Sequence, residues 1–314
     1  MSTGNYKKNA ERANPACILF LIDQSYSMTE GLAGATDPEK TKIKSLATAI
    51  NRFISDLIGM CEKGEDQPRD YFYIGVIAYT TDRSNPPNVL VGPVLQGQNG
   101  SLSGRDLVSV SDLFNDPLTI EDRMRKFDDG AGGLVEMPVK FPIWYRVPDP
   151  MTMGGTPMSH ALEYARGIAE AWCSSRPDSF PPVIIHLTDG EPTDGDPEPY
   201  AEALKALETV DGNVLLFNCH LSTSQAAPVV FPVSESMLAD DYAKLLYRMS
   251  SELPESPEIK AQLESKGVNF PKGARGMVFN ADAMGLLTLI KLGTVAGGAP
   301  PIATGSVEPP DGLR

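Results

Sequence analysis

The stretch ACILFLIDQSYS, Ala16 to Ser27, decides how this chain folds. Its first seven residues are apolar without a break, bounded by Pro15 on one side and a polar turn on the other. A strand with one wet face alternates apolar and polar residues, whereas an unbroken run is what a strand buried on both faces carries. The run ends on Asp23, and Ser25 and Ser27 follow at alternate positions. One carboxylate and two hydroxyls are therefore crowded where a buried strand finishes. They could hold a hard cation, cap a helix or lie in a polar loop, and only distant residues separate these readings.

Working outward, the same unbroken pattern returns in FYIGVIAYT (72–80), PVIIHLTD (182–189) and NVLLFNCHL (213–221). These four runs are expected to form the middle of a parallel sheet. Helical periodicity alternates with them. In DPEKTKIKSLATAINRFISDLIGMCEKG (37–64), Ile43, Leu46, Ile50, Phe53, Ile54, Leu57 and Ile58 fall on one face, with Asp37 as the expected N-cap and Pro38 at the first helical position. PMSHALEYARGIAEAWCSS, PEPYAEALKALETV, ADDYAKLLYRMSSEL and ADAMGLLTLIKLG read as further helices. The alternation predicts an α/β fold: a doubly wound, mostly parallel central sheet flanked by helices.

Residues 83–150 break this rhythm, being rich in Gly, Pro, Asp and Ser. We expect an insertion between the second buried strand and the MGGTPM loop (Met153–Met158), with strand-like NVLVGPVL and PVKFPIWYRV and a helix at TIEDRMRKF. So long a segment inside a compact domain should carry its own hairpin or edge strands. Residues 1–13 read as a flexible terminus, 14–296 as one domain, and 297–314, with their Pro and Gly, as a disordered tail.

With 314 residues, 41% of them hydrophobic, the chain has material for a sizeable core. Its formal net charge of −14, without a long basic run, would repel a nucleic-acid backbone or an anionic membrane. No apolar run approaches the roughly 20 residues that span a bilayer, and the polar start MSTGNYKKNAERANPA lacks an apolar export core. Cys17, Cys61, Cys173 and Cys219 are widely spaced and form no CxxC pair, which fits neither a zinc site nor a disulfide framework. A reducing cytoplasm is the expected setting.

Ligands of doubly wound sheets bind beyond the carboxyl ends of the strands, so residues just after strand-like runs share one rim. Asp23, Ser25 and Ser27 follow the first run, Asp189 follows the third, and the MGGTPM loop delivers Thr156 at the mouth of a helix. Two carboxylates and three hydroxyls, with no thiolate or imidazole, suit Mg²⁺, with Mn²⁺ or Ca²⁺ also accommodated. Neutral hydroxyls leave such an ion electrophilic towards an incoming acidic group.

DxSxS after the first strand, GGTP before a helix and TDGEPTDG after a buried strand resemble the von Willebrand factor A family and its metal-ion-dependent adhesion site. The similarity runs from about Ala16 to Leu221, and ARGMVFNADAMGLLTLIKLG resembles the family's last strand and helix. The resemblance implies that Ser25, Ser27 and Thr156 contact the ion directly or through water. It implies that Asp23 and Asp189 ligate the ion or accept hydrogen bonds from its waters, and that an Asp or Glu of a partner protein completes the shell. Gln24 and Tyr26 fill the variable positions of DxSxS. Tyr26 stands where a small residue is common, and would either narrow access to the ion or pack against a docked partner.

The expected function is thus recognition rather than catalysis: a metal-dependent protein-interaction module, similar to bacterial intracellular members that serve stress, defence or ATPase-associated systems. The alternative is a metal-dependent hydrolase or phosphatase using the same acidic rim. An aspartate-nucleophile enzyme would want a second carboxylate two residues after the first, where this chain has Ser25, and neither GxSxG nor GxxxxGK[ST] occurs. Plainer readings apply elsewhere. Glu191, Asp194 and Asp196 read as a solvated turn, His186 and His220 as core residues with satisfied nitrogens, and His160 as hydrogen-bonded beneath the loop. Met151, Met153 and Met158 read as core filling, and Trp144 and Tyr145 as either partner anchors or buried packing.

Overall fold

Strand β1 (Ala16–Asp23) is buried at every position and forms the middle of the sheet. This computed structural model describes residues 6–34, 40–85, 88–128, 133–224, 226–265 and 267–296. After β1 come α1 (Lys42–Cys61), β2 (Phe72–Thr81), β3 (Val89–Pro93), β4 (Val108–Ser109), α2 (Val110–Asn115), β5 (Thr119–Asp128), β6 (Leu134–Ile143) and α3 (Met158–Ser175). Then follow β7 (Val183–Thr188), α4 (Glu198–Lys205), β8 (Glu208–Thr209), β9 (Gly212–Asn213), β10 (Leu215–Leu221), β11 (Val229–Val230), α5 (Asp241–Met249), α6 (Pro257–Ser265), β12 (Met277–Ala281) and α7 (Ala283–Ala296). The main sheet runs β11-β12-β10-β7-β1-β2-β3, with β4 also paired to β2. The central pairs β12/β10, β10/β7, β7/β1 and β1/β2 are parallel, and the edge strands β3, β4 and β11 are antiparallel.

The unbroken apolar run of β1 has a direct cause. Side chains alternate across a sheet, so Ile18, Phe20 and Ile22 enter the core shared with α1, α6 and α7, while Leu19 and Leu21 enter the core shared with α3, α4 and α5. Both faces are covered, which is the doubly wound arrangement expected.

The helix α1 begins at Lys42, with Thr41 as its cap accepting from the Lys44 N–H, and not at Asp37. Asp37 and Pro38 themselves lie outside the described residues. TIEDRMRKF is strand β5, not a helix, paired antiparallel with β6 along its whole length. The apolar positions Ile120, Met124 and Phe127 imitate a helical stripe. Cross-strand partners decide otherwise, with Asp122 in a salt bridge to Lys140 (2.8 Å) and the Arg123 guanidinium 3.8 Å from the Phe141 ring centroid. Within the 1–13 stretch, Tyr6 and Ala10 are buried, and the Lys7 and Lys8 N–H groups both donate to the Asp211 carboxylate at 3.0 Å. The tail at 297–314 lies outside the described residues.

Trp144 and Tyr145 are core, each 1% exposed. His186, in the middle of β7, is fully buried between Tyr79 and Asn218. Asn218 donates through Nδ2 to Ser250 Oγ (2.9 Å), which turns its Oδ1 towards His186 Nδ1 at 2.8 Å. The imidazole is thereby held neutral, with Nδ1–H donating and Nε2 accepting from the Tyr79 hydroxyl at 2.7 Å. Burial pushes its pKa down to about 4. The unfolded chain therefore takes up a proton as pH falls below about 6.5, while the folded chain resists until about 4. Stability contributed by this group is present above pH 6.5 and is lost as pH falls through that window, by up to roughly 1.4 kcal/mol per pH unit. Urea midpoints at pH 6.5 and pH 5 should fall more steeply for the wild type than for His186→Gln. Equal slopes would remove His186 as a source of acid sensitivity.

Candidate metal centre

The turn after β1 is built on Asp23. Its carboxylate faces inward, 0% exposed, where Oδ1 accepts from the Ser25 N–H (2.7 Å) and Oδ2 from the Thr188 hydroxyl at the end of β7 (2.8 Å). One buried carboxylate thus ties together the ends of two adjacent strands. Met28, fully buried, anchors the short 3-10 turn Tyr26–Thr29 from below. The result sets Ser25 Oγ and Ser27 Oγ 3.0 Å apart.

Asp189 follows β7 directly, and its Oδ1 accepts from Ser27 Oγ at 2.8 Å and from Ser25 Oγ at 3.4 Å. Thr156 arrives from the loop before α3. Gly154 and Gly155 donate their N–H groups to Thr80 Oγ1 (2.9 Å) and Thr81 Oγ1 (2.7 Å), which stitches this loop to the end of β2. A Cβ on Gly154 would overlap the Thr81 carbonyl oxygen, so the approach needs glycine there. Thr156 N–H donates to Thr193 Oγ1 (3.0 Å), and its carbonyl accepts from Thr193 N–H (2.9 Å), so the third loop also grips the Asp189 loop. A Cβ placed on Gly190 would lie 3.4 Å from Thr156 Oγ1 and 3.8 Å from Ser27 Oγ, so these two hydroxyls flank one spot. All five residues singled out from the sequence, Asp23, Ser25, Ser27, Thr156 and Asp189, share this rim.

The donor set fits a small hard cation. Octahedral Mg²⁺ with oxygens at about 2.0–2.1 Å has neighbouring ligands about 2.9 Å apart, and Ser25, Ser27 and Asp189 are separated by 2.8–3.4 Å. Among the described residues, no group of three or more His, Cys, Asp or Glu side chains is placed to hold a metal. Any ion here would therefore depend on hydroxyls. Burial first, and then the charge of Asp189, push the Asp23 carboxyl up to about 7 despite its bonds from Ser25 and Thr188.

Several contributors were not visible in the sequence. Lys42, 3% exposed, donates through Nζ to Asp189 Oδ2 at 2.6 Å, to Glu30 Oε2 at 3.2 Å and to the Ser27 carbonyl at 3.3 Å. Asp194 is not a solvated turn residue, because it accepts from the Ser159 and His160 N–H groups and caps α3 from a distant loop. His160 sits beside it, exposed rather than beneath the loop, with Nδ1 2.8 Å from Asp194 Oδ2. Gln24 is explained by its bond to the Tyr145 hydroxyl (2.9 Å). Tyr26 is 50% exposed with the Arg83 guanidinium 4.1 Å from its ring centroid, and its N–H donates to the Gly154 carbonyl. Met153 and Met158 are buried as expected, whereas Met151 is 72% exposed.

Fold and site together define a class: an α/β protein whose largely parallel sheet carries, at its carboxyl edge, a cluster of hydroxyls and carboxylates drawn from three loops. No family model matches the chain, and no curated protein is similar to it in sequence. Solved structures similar to it include the pilus adhesin SpaC from Lactobacillus rhamnosus GG, at a TM-score of 0.42 and 12% identity over 92% of this chain and 31% of that one. The human COPII-coat protein Sec24c is similar at a TM-score of 0.34 and 10% identity, over 93% of this chain and 33% of that one. The chain spans about a third of the length of either. Among the described residues, no helix is long and apolar enough to cross a membrane.

Proposed function

We propose that this chain is a von Willebrand A-like recognition module. Its rim holds a divalent cation, Mg²⁺ or in its place Mn²⁺ or Ca²⁺, and the ion bridges to an Asp or Glu of a partner protein. Ser25, Ser27 and Thr156 would contact the ion, with Asp23 and Asp189 behind them. The observation that carries this reading is the convergence of Ser25 Oγ, Ser27 Oγ and Asp189 Oδ1 within 2.8–3.4 Å of one another, at a position where Ser27 is only half-buried. Hydroxyl ligands cancel little of an ion's charge, which leaves it attractive to a carboxylate. Tyr26 and Met151, both exposed and both close in sequence or by hydrogen bond to the rim loops, offer the apolar contacts that surround such an anchor. By the same resemblance we place the protein in the bacterial cytoplasm, in a stress, defence or ATPase-associated assembly, which the neighbouring genes would test.

The direct test is capture of partners from the source lysate with and without EDTA, beside a Ser27→Ala variant. Chelation and the substitution should each reduce capture of the same partner by at least about tenfold, with the melting temperature of Ser27→Ala within a few degrees of wild type. Capture that is indifferent to EDTA would overturn the reading, and steady turnover of a phosphoester by the purified protein would favour a hydrolase instead.

A further inference from the structure

The rim already contains a cation. Lys42 is the first residue of α1, a 20-residue helix, and its side chain is only 4% exposed. Both facts oppose an ammonium there. Lysine is almost never fully buried unless paired, and the N-terminus of a helix carries the positive end of the dipole. What holds Lys42 in place is the acidic rim: Asp189, its side chain fully shielded, at 2.6 Å. The carboxylate of Asp189 is divided between two tasks, with Oδ2 facing the ammonium and Oδ1 facing the Ser25 and Ser27 hydroxyls. A divalent ion among those hydroxyls would compete with Lys42 for the same charge. Lys42 also has a second seat. Glu30 Oε2 lies 3.2 Å from the same Nζ on a side chain that is 60% exposed, and the Lys42 N–H bond to the Glu30 carbonyl (2.9 Å) holds the backbone still while the side chain turns.

We propose that Lys42 is a tethered counter-ion of this rim. It neutralises Asp189 while the divalent ion is away, and it shifts towards Glu30 when the ion enters, so it sets how tightly the ion is held. The inference rests on the metal-centre reading above and adds a control element to it. Like charges a few ångströms apart at a partly shielded site repel strongly, so divalent affinity is tuned downward by Lys42 and partly restored by Glu30.

The test is titration with Mn²⁺ alone, following the free ion by electron paramagnetic resonance, together with thermal melts with and without the ion. Lys42→Met, which keeps the length of the stem, should bind Mn²⁺ about tenfold or more tighter than wild type. Its melting temperature without metal should fall, because Asp189 loses its cation, and should rise with Mn²⁺ by more than that of wild type. Glu30→Gln, an exposed change that leaves the fold alone, should bind the ion several-fold more weakly. Ser27→Ala separates the two levels of inference. If it loses the ion while Lys42→Met and Glu30→Gln match wild type, the metal centre stands and the counter-ion role falls. If wild type and Ser27→Ala bind Mn²⁺ equally weakly, both fall.

Discussion

Asn51→Leu is expected to lower the unfolding free energy by roughly 3–6 kcal/mol, the largest stability effect we anticipate from one uncharged side chain. Asn51 is 2% exposed on the inner face of α1. Its Oδ1 accepts from the Trp144 N–H (2.8 Å) and the Tyr145 N–H (3.0 Å), and its Nδ2 donates to the carbonyls of Tyr145 (2.8 Å) and Ala47 (2.9 Å). The segment it holds leaves β6 and enters the core without a strand partner for these groups. Leucine matches the volume and supplies none of the bonds, leaving two backbone donors and one acceptor of that segment buried and unpaired. Each such group costs about 1–3 kcal/mol, against a total stability of about 5–15 kcal/mol for a typical native protein. Urea unfolding of the two proteins at one pH measures the difference. A loss below about 1 kcal/mol would show that the segment finds other partners and that Asn51 is not its anchor.

The second large effect concerns binding. Gly154→Ala should leave a folded protein whose Mn²⁺ affinity is reduced by about tenfold or more. The new methyl group meets the Thr81 carbonyl oxygen and hydroxyl, and backbone at the end of a central strand is a poor candidate for yielding. The loop must move instead, and it carries Thr156 two residues later. A useful control is Gly92→Ala in β3, where no atom lies within 4 Å of the added carbon. Were Gly154→Ala to bind the ion as wild type does, the position of Thr156 would not matter to the site.

Much of this architecture was legible because burial on two sheet faces leaves a compositional mark. The runs now seen as β1, β2, β7 and β10 contain hardly a polar residue, and α3 begins and ends where its periodicity does. The rim was legible for a related reason: residues that directly follow buried parallel strands share one edge, so Asp23 and Asp189 could be placed together without knowing any distance. What escaped was long-range pairing. Nothing local marks Lys42 as different from Lys40 or Lys44, because its partner lies 147 residues away. Asp194 caps a helix that begins 36 positions earlier in the chain, at Met158. In β5, helical spacing of apolar residues was outweighed by pairing with a partner strand that periodicity does not reveal.

The clasp of Asp211 on the backbone of Lys7 and Lys8 has a practical corollary. Asp211 precedes β10, so it lies at the amino edge of the sheet, a strand's length of about 20 Å from the hydroxyl cluster at the opposite edge. A biotin or affinity handle placed ahead of residue 6 would thus orient the immobilised molecule with the edge that bears Ser25, Ser27 and Asp189 towards the solution. Surface-based kinetic measurements made through that attachment would sample the rim without steric interference from the chip.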